Sequence, residues 1–472
     1  MASVKSWRVG EAGSPSFPED FEVSKKAVLQ VTDIKTNRNK YYAIELHVSG
    51  GSFRVFTHYG RTDDLETNPE AGAKENRFFQ SAEDAESCYL SIYREKTSPK
   101  KGYKELSLAS SKIGSQKARG TSTGEVDAKT LAKIAANQKD KPPPRTSELA
   151  PQVQELVKYI YAEATNALTS TVAAKITAQG IETPLGVLTL GQIERGEEIL
   201  TRLYQLFKVG KAKPADMEQL SGDFYTLIPP RIGRTRAAIQ DAIIDSMEEF
   251  EQKQETLQLM KDMLTVNGDG GVLFDEKVDG QYDALKCTIG AFEPGSAQFK
   301  EIEAFVLKSQ VKSKAIKVKN IYSLRREGEW QAFDASVGNE RQLFHGSRIK
   351  NWVGLLSRGI LMPKIVVSLG VNRTDAGWLG SGIYFGDASC TSAFYTTAGK
   401  KGTRFMAIAR VALGKMKDYT KITYGIDAPP PGFDSCHGVR NVPGAPSQFA
   451  DDEYVVYRPT QQRLEALVEF TV

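Results

Sequence analysis

Residues 377–395 read Gly377-Trp378-Leu379-Gly380-Ser381-Gly382-Ile383-Tyr384-Phe385-Gly386-Asp387-Ala388-Ser389-Cys390-Thr391-Ser392-Ala393-Phe394-Tyr395. Three glycines close together let the backbone approach a ligand with no side chain between. Ile383-Tyr384-Phe385 reads as a short buried strand, and Ser392 to Tyr395 as the start of a helix. Tyr384, Tyr395 and the Ser392 hydroxyl flank the turn, so flat faces and a hydrogen-bonding group stand together. Such a site suits a flat, amide-bearing ring.

The surrounding region is rich in strands. After the Asn267-Gly268-Asp269-Gly270-Gly271 break, Phe405, Ala407, Ala409, Val411 and Leu413 alternate with more polar neighbours. Leu464, Ala466, Val468, Phe470 and Val472 alternate with Glu465, Glu469 and Thr471. Residues 266–472 therefore read as an α+β domain built on antiparallel sheets. Leu343-Phe344-His345-Gly346-Ser347 is a strand ending in His-Gly-Ser before a helix with Trp352, Leu355 and Leu356. A strand-end histidine is commonly structural, but the adjacent glycine exposes N–H and C=O groups that could pair with a carboxamide. In Asp451-Asp452-Glu453-Tyr454-Val455-Val456-Tyr457, Glu453 is either a solvated strand end or a carboxylate projecting into a cleft. Spacing alone leaves both positions open.

Upstream, residues 147–265 have helical periodicity. Val153, Leu156, Val157, Ile160 and Tyr161 share one face after Pro151, and Thr189-x-x-Gln192 is a capping box. A long helix is expected from about Arg236 to Leu264, with Ile243, Met247, Phe250, Leu257 and Met260 inward. This acidic all-α bundle contains nothing that demands chemistry. Residues 111–146, rich in Ser, Gly, Thr and Lys and ending in three prolines, read as a linker. Residues 21–110 read as a small antiparallel sheet with one helix from Ser81, and 1–20 as a flexible tail. At the sheet's tip, His58-Tyr59-Gly60-Arg61 reads as a tight turn able to stack on a base while Arg61 grips a phosphate.

A length of 472 residues accommodates about three domains. No run of 18 or more apolar residues and no N-terminal apolar segment is present, so neither a membrane span nor secretion is expected. Cys88, Cys287, Cys390 and Cys436 lack C-x-x-C spacing, which predicts free thiols and no metal site, with Cys436-His437 in a loop. Net charge is +4. The helical stretch 147–265 is acidic, with 12 Lys/Arg against 17 Asp/Glu, and the basic density peaks at 94–119, with eight Lys/Arg against two acids.

Taken together, His345-Gly346-Ser347, Gly382-Ile383-Tyr384-Phe385 and Glu453-Tyr454-Val455-Val456-Tyr457 resemble the His-Tyr-Glu set of the poly(ADP-ribose) polymerase family. Pro184-Leu185-Gly186-x-Leu188, Gln192-Ile193 and Phe224-Tyr225-Thr226-Leu227-Ile228-Pro229 resemble the helical regulatory domain that precedes its catalytic domain. Asn39-Lys40-Tyr41-Tyr42, Tyr93-Arg94-Glu95-Lys96-Thr97 and Gly102-Tyr103, with the Tyr59-Gly60-Arg61 tip, resemble a WGR domain, a module that binds DNA ends. Tyr59 stands where that module has Trp. The resemblance extends over about residues 21–472.

The resemblance implies NAD+ as substrate and no metal. Tyr395 would stack on the nicotinamide and Tyr384 enclose it. Gly346 backbone groups and the Ser392 hydroxyl would hold the carboxamide, and His345, Ser347 and Asn351 the adenosine ribose side. Glu453 would stabilise the cationic sugar left by nicotinamide and orient the acceptor hydroxyl, with His345 and Tyr384 completing the catalytic set. Tyr59, Arg61, Lys100, Lys101 and Lys104 would bind DNA. The implied protein is a polymerase stimulated by DNA strand breaks, modifying acceptor proteins including itself, with the helical bundle covering the site until DNA binds. It would be nuclear in a eukaryote and in the cytoplasm or nucleoid otherwise. Thr391 replaces a family Lys, Gly377 a Tyr and Leu361 an Arg, which leaves two alternatives: a mono-ADP-ribosyltransferase, or a DNA-binding scaffold with an inactive transferase domain.

Overall fold

The computed structural model describes residues 4–128, 131, 147–177, 180–209, 213–231, 238, 241–265, 278–311, 313–362 and 377–472. It divides the chain into two units, one of residues 1–142 and 168–274, the other of 143–167 and 275–472. Among the described residues no helix is long and apolar enough to cross a membrane.

In the first unit, the long β-branched and aromatic runs Glu22–Asp33 and Arg38–Ser49 pair antiparallel around Asn37, which takes the left-handed conformation that asparagine tolerates. They form a six-stranded sheet in the order Trp7–Arg8, Ala73–Phe79, Ser52–Arg61, Arg38–Ser49, Glu22–Asp33, Lys104–Glu105. The helix Ala82–Thr97, capped by the Ser81 side chain, packs Ala85 and Tyr89 against Leu29, Ile44, Val55 and Phe79. The expected tail at 1–20 is partly docked, since Trp7 pairs with Asn76 and Phe17 lies under the Arg54 guanidinium at 4.3 Å.

The expected linker also needs correction over 111–123. Leu108–Ser111 pairs with Gly186–Leu188 in a four-stranded sheet, and Ile113 and Ala118 are buried. A buried carboxylate pins the segment: Glu45 accepts from Ser115 N–H at 2.8 Å, from the Ser115 hydroxyl at 2.5 Å and from His47 Nε2 at 2.7 Å. Burial pushes the Glu45 carboxyl upward, but these hydrogen bonds outweigh it and hold the group below the usual range. Residues 132–146 lie outside the described residues. Much of the basic peak at 94–119 is neutralised within this unit, Lys104 by Asp223, Lys112 by Glu182, Lys117 by Asp20 and Arg119 by Glu70.

Helices Leu190–Val209, Pro214–Leu227 and Met247–Thr265 complete the unit. Thr189 caps the first of them, but Gln192 does not close the box. Its amide instead accepts from Ser107 N–H and donates to the Leu227 carbonyl. The helix expected from Arg236 begins at Met247 among the described residues, because Ser246 and Glu249 form a capping box of their own. Ile244, rather than Ile243, is the buried residue preceding it.

The second unit holds a nine-stranded sheet in the order Thr288–Ala291, Lys317–Arg325, Gln462–Thr471, Arg404–Ala412, Glu340–Gly346, Ile383–Gly386, Glu453–Val456, Ser435–Gly438, Met416–Tyr419. Only the last pair is parallel. Arg404–Ala412 is buried on both faces, since Met406 and Ile408 are as enclosed as Phe405 and Ala407, so its apolar pattern is nearly continuous. Cys436 and His437 form a strand, not a loop. The expected domain start at 266 lies outside the described residues.

The helix Pro151–Thr171 carries Val153, Leu156, Val157, Ile160 and Tyr161 inward as its periodicity predicts, but its residues up to 167 belong to this second unit. Tyr159 accepts from Lys401 N–H at 3.2 Å and lies 5.9 Å from the Phe405 ring, while Glu163 accepts from Lys400 N–H at 2.7 Å.

Candidate active site

The strands Glu340–Gly346 and Ile383–Gly386 pair at Phe344 with Gly386, and Gly386 is opposite Glu453 on the next strand. Three neighbouring strands therefore carry His345, Tyr384 and Glu453, spanning two strand spacings, about 10 Å. A cavity of about 330 Å³ opens there, lined by His345, Gly346, Gly377, Trp378, Tyr384, Thr391, Ser392, Tyr395 and Glu453 together with neighbouring apolar and glycine positions. Gly346 is required by close approach, because a Cβ there would lie 1.9 Å from the Ser392 carbonyl oxygen. That contact seats the short helix Ser389–Phe394 against the strand end.

Hydrogen bonds fix the orientation of each group. His345 Nδ1 lies 3.0 Å from the Tyr384 carbonyl, which can only accept, so Nδ1 carries the proton and Nε2 is left as an acceptor. Burial holds the His345 pKa below its ordinary value, which keeps the ring neutral. The Tyr384 hydroxyl donates to Gly380 O at 2.8 Å and accepts from Leu379 N–H at 2.9 Å, so its role is to brace the glycine-rich turn while the ring walls the cavity. Ser392 donates to Phe344 O at 3.3 Å. Tyr395 presents a ring that is 62% exposed.

The Glu453 carboxyl is pushed up to about 7, first by burial and second by the negative charge of Asp451. Asp451 accepts from the Thr391 hydroxyl at 2.5 Å. Sequence reasoning missed Trp378, which also lines the cavity, and gave Asp451 no role. The only sequence signal for Asp451 was its place two residues before Glu453. The glycine at 377 has a local cause: φ is +46°, and a Cβ would lie 2.1 Å from the Tyr384 hydroxyl oxygen.

Ser347 and Asn351 are not among the cavity-lining residues. They bond to each other, Asn351 Nδ2 to Ser347 Oγ at 3.2 Å. In the first unit, His58-Tyr59-Gly60-Arg61 is the end of a strand rather than a tight turn. Tyr59 stacks on Tyr42 at 5.1 Å and its hydroxyl donates to Glu75, so one of its two faces is covered. Arg61 is held by Asp63 at 3.0 Å and by the Asn37 carbonyl. Lys104 pairs with Asp223 at 2.7 Å and Lys101 lies 3.8 Å from Glu95, whereas Lys100 is exposed. Lys100 and Lys101 share a groove with Lys35 and Arg38. Among the described residues no cluster of His, Cys, Asp or Glu is arranged to hold a metal ion.

Family models match three segments: the WGR domain over residues 25–109, the poly(ADP-ribose) polymerase regulatory domain over 147–268, and the poly(ADP-ribose) polymerase catalytic domain over 296–472. The chain is 32% identical over 323 residues to protein mono-ADP-ribosyltransferase PARP4 of Mus musculus, an alignment covering 68% of this chain and 16% of that protein. It is 26% identical over 491 residues to protein mono-ADP-ribosyltransferase PARP3 of Homo sapiens, covering 93% and 86%. It is also 26% identical over 492 residues to poly(ADP-ribose) polymerase 1 of Arabidopsis thaliana, covering 96% and 47%. The chain spans a quarter or less of the length of the mouse and human PARP4 relatives it matches.

Proposed function

The chain belongs to the poly(ADP-ribose) polymerase family, and on that premise we propose that it cleaves NAD+ and transfers ADP-ribose to acceptor side chains when stimulated by DNA breaks. The observation that carries the reading is the single cavity shared by His345, Tyr384, Ser392, Tyr395 and Glu453. Its volume of about 330 Å³ leaves room for a nicotinamide ring and its ribose. The backbone at Gly346 and the Ser392 hydroxyl supply amide-pairing groups, and Tyr395 supplies a face for stacking. Neutral His345 accepts a ribose hydroxyl through Nε2. Ionised Glu453 stabilises positive charge at the sugar carbon as the C–N electron pair leaves with nicotinamide. Ser347, just past the strand end, and Asn351, bonded to it, extend the contact toward the adenosine ribose.

Glu453 supports chain growth, because one carboxylate can orient an incoming ribose hydroxyl as well as a protein side chain. Single transfer is the second reading. Thr391 and Gly377 favour it, as do two relatives named mono-ADP-ribosyltransferases. The WGR match supports DNA as the stimulus, and exposed Lys100, in a groove with Lys35 and Arg38, offers phosphate contacts beside Tyr59 and Arg61. In a eukaryotic cell the site of action is the nucleus.

Labelled NAD+ incubated with the full chain, with and without nicked DNA, tests the reading. Ladders mean polymer and one discrete shift means single transfer. Absence of both nicotinamide release and label refutes the enzyme. Glu453→Gln abolishes ladders if Glu453 acts as stated.

A further inference from the structure

Thr391 and Asp451 form a pair in the cavity wall that the reaction above leaves unused. Thr391 lines the cavity beside Glu453 and donates to Asp451 Oδ2 at 2.5 Å. Asp451 is only 6% exposed and lies two residues before the strand that Glu453 opens. Thr391 therefore touches both the cavity and this carboxylate. Behind it, Asp451 shares one guanidinium with two other carboxylates. Arg440 Nε lies 3.5 Å from Asp451, while the same side chain reaches Asp387 at 2.8 Å and Asp452 at 3.7 Å.

We infer that Thr391 and Asp451 form a proton relay for acceptors that attack through a hydroxyl group. The inference rests on the transferase reading. As the acceptor oxygen bonds to the ribose carbon that nicotinamide leaves, the acceptor's proton passes to Thr391 Oγ. The proton already on Thr391 passes to Asp451 Oδ2. The C–N pair departs with nicotinamide, a lone pair of the acceptor oxygen makes the new C–O bond, and Asp451 later returns its proton to solvent. A carboxylate acceptor carries no proton and has no use for the relay. Water competes for the same carbon without it, since its proton passes directly to solvent.

The test follows label incorporated per nicotinamide released, using the full chain, labelled NAD+ and the variants Thr391→Val, Thr391→Ser and Asp451→Asn. Thr391→Val and Asp451→Asn each lower that ratio by at least about tenfold, the small end of general acid–base effects, while Thr391→Ser restores it. The wild-type linkage resists neutral hydroxylamine, which cleaves esters. An unchanged ratio in both Thr391→Val and Asp451→Asn, or label that hydroxylamine releases, overturns the relay. Should Thr391→Val fail to fold by circular dichroism, Asp451→Asn decides alone. Wild-type protein that releases no nicotinamide overturns the transferase reading itself, a distinct result.

Discussion

Neutralising Asp451 should move the pH dependence of NAD+ cleavage in a direction set by the geometry around Glu453. Two causes lift the Glu453 carboxyl from 4.5 to about 7, burial first and the Asp451 charge second. Glu453 stabilises a developing cation only when ionised, so nicotinamide release rises with pH through about 7. In Asp451→Asn the burial remains and the like charge is gone. Because burial is the larger cause, the carboxyl returns less than half way toward 4.5, which raises the ionised fraction at pH 6 by no more than about sevenfold. At pH 8.5 both proteins are ionised and the variant gains nothing. The assay is kcat/KM for nicotinamide release from pH 5 to 9, which reports ionisation in the free enzyme. Glu453→Gln gives a low, flat profile and identifies the titrating group. A limb that stays at about 7 in Asp451→Asn refutes the assignment of Asp451 as the second source of the shift. A wild-type profile with no limb in this range removes Glu453 from the role altogether.

Further outcomes follow from close contacts. Gly346→Ala places a methyl group 1.9 Å from the Ser392 carbonyl oxygen, so the helix Ser389–Phe394 must shift and nicotinamide release should fall by at least about a hundredfold, read as kcat/KM. Tyr159→Ala empties a buried site against Phe405 and leaves Lys401 N–H without its acceptor. Unfolding should need about 3 kcal/mol less, measured by urea denaturation. Glu45→Ala strands Ser115 N–H and His47, a loss of about 2–3 kcal/mol at pH 7. The Glu45 carboxyl is held below its ordinary 4.5, so its contribution is complete above that pH and disappears as pH falls through the lower folded value. The wild-type and mutant urea midpoints should therefore converge in strong acid.

The site was legible where function and local pattern coincide. A histidine closing a strand, a glycine-rich turn and a carboxylate opening a strand are short-range signals, and the sheet brings them together because each belongs to one of three successive neighbours in its order. What the sequence hid was whether a side chain was already occupied. Tyr59 and Arg61 look like a stacking face and a phosphate grip, but Tyr42 covers one face of the ring and Asp63 pairs with the guanidinium. The segment 111–123 looks too polar to pack, but a buried carboxylate on a distant strand, Glu45, satisfies both the N–H and the hydroxyl of Ser115 within it. Glu45 and Ser115 are 70 residues apart, and no periodicity connects them. Asp451 obeys the same logic in reverse. It reads as one more acid before a strand, and only the closure of the Ser389–Phe394 helix onto Gly346 brings Thr391 within 2.5 Å of it. Local chemistry thus identifies the groups, and long-range pairing decides which of them remain available to a substrate.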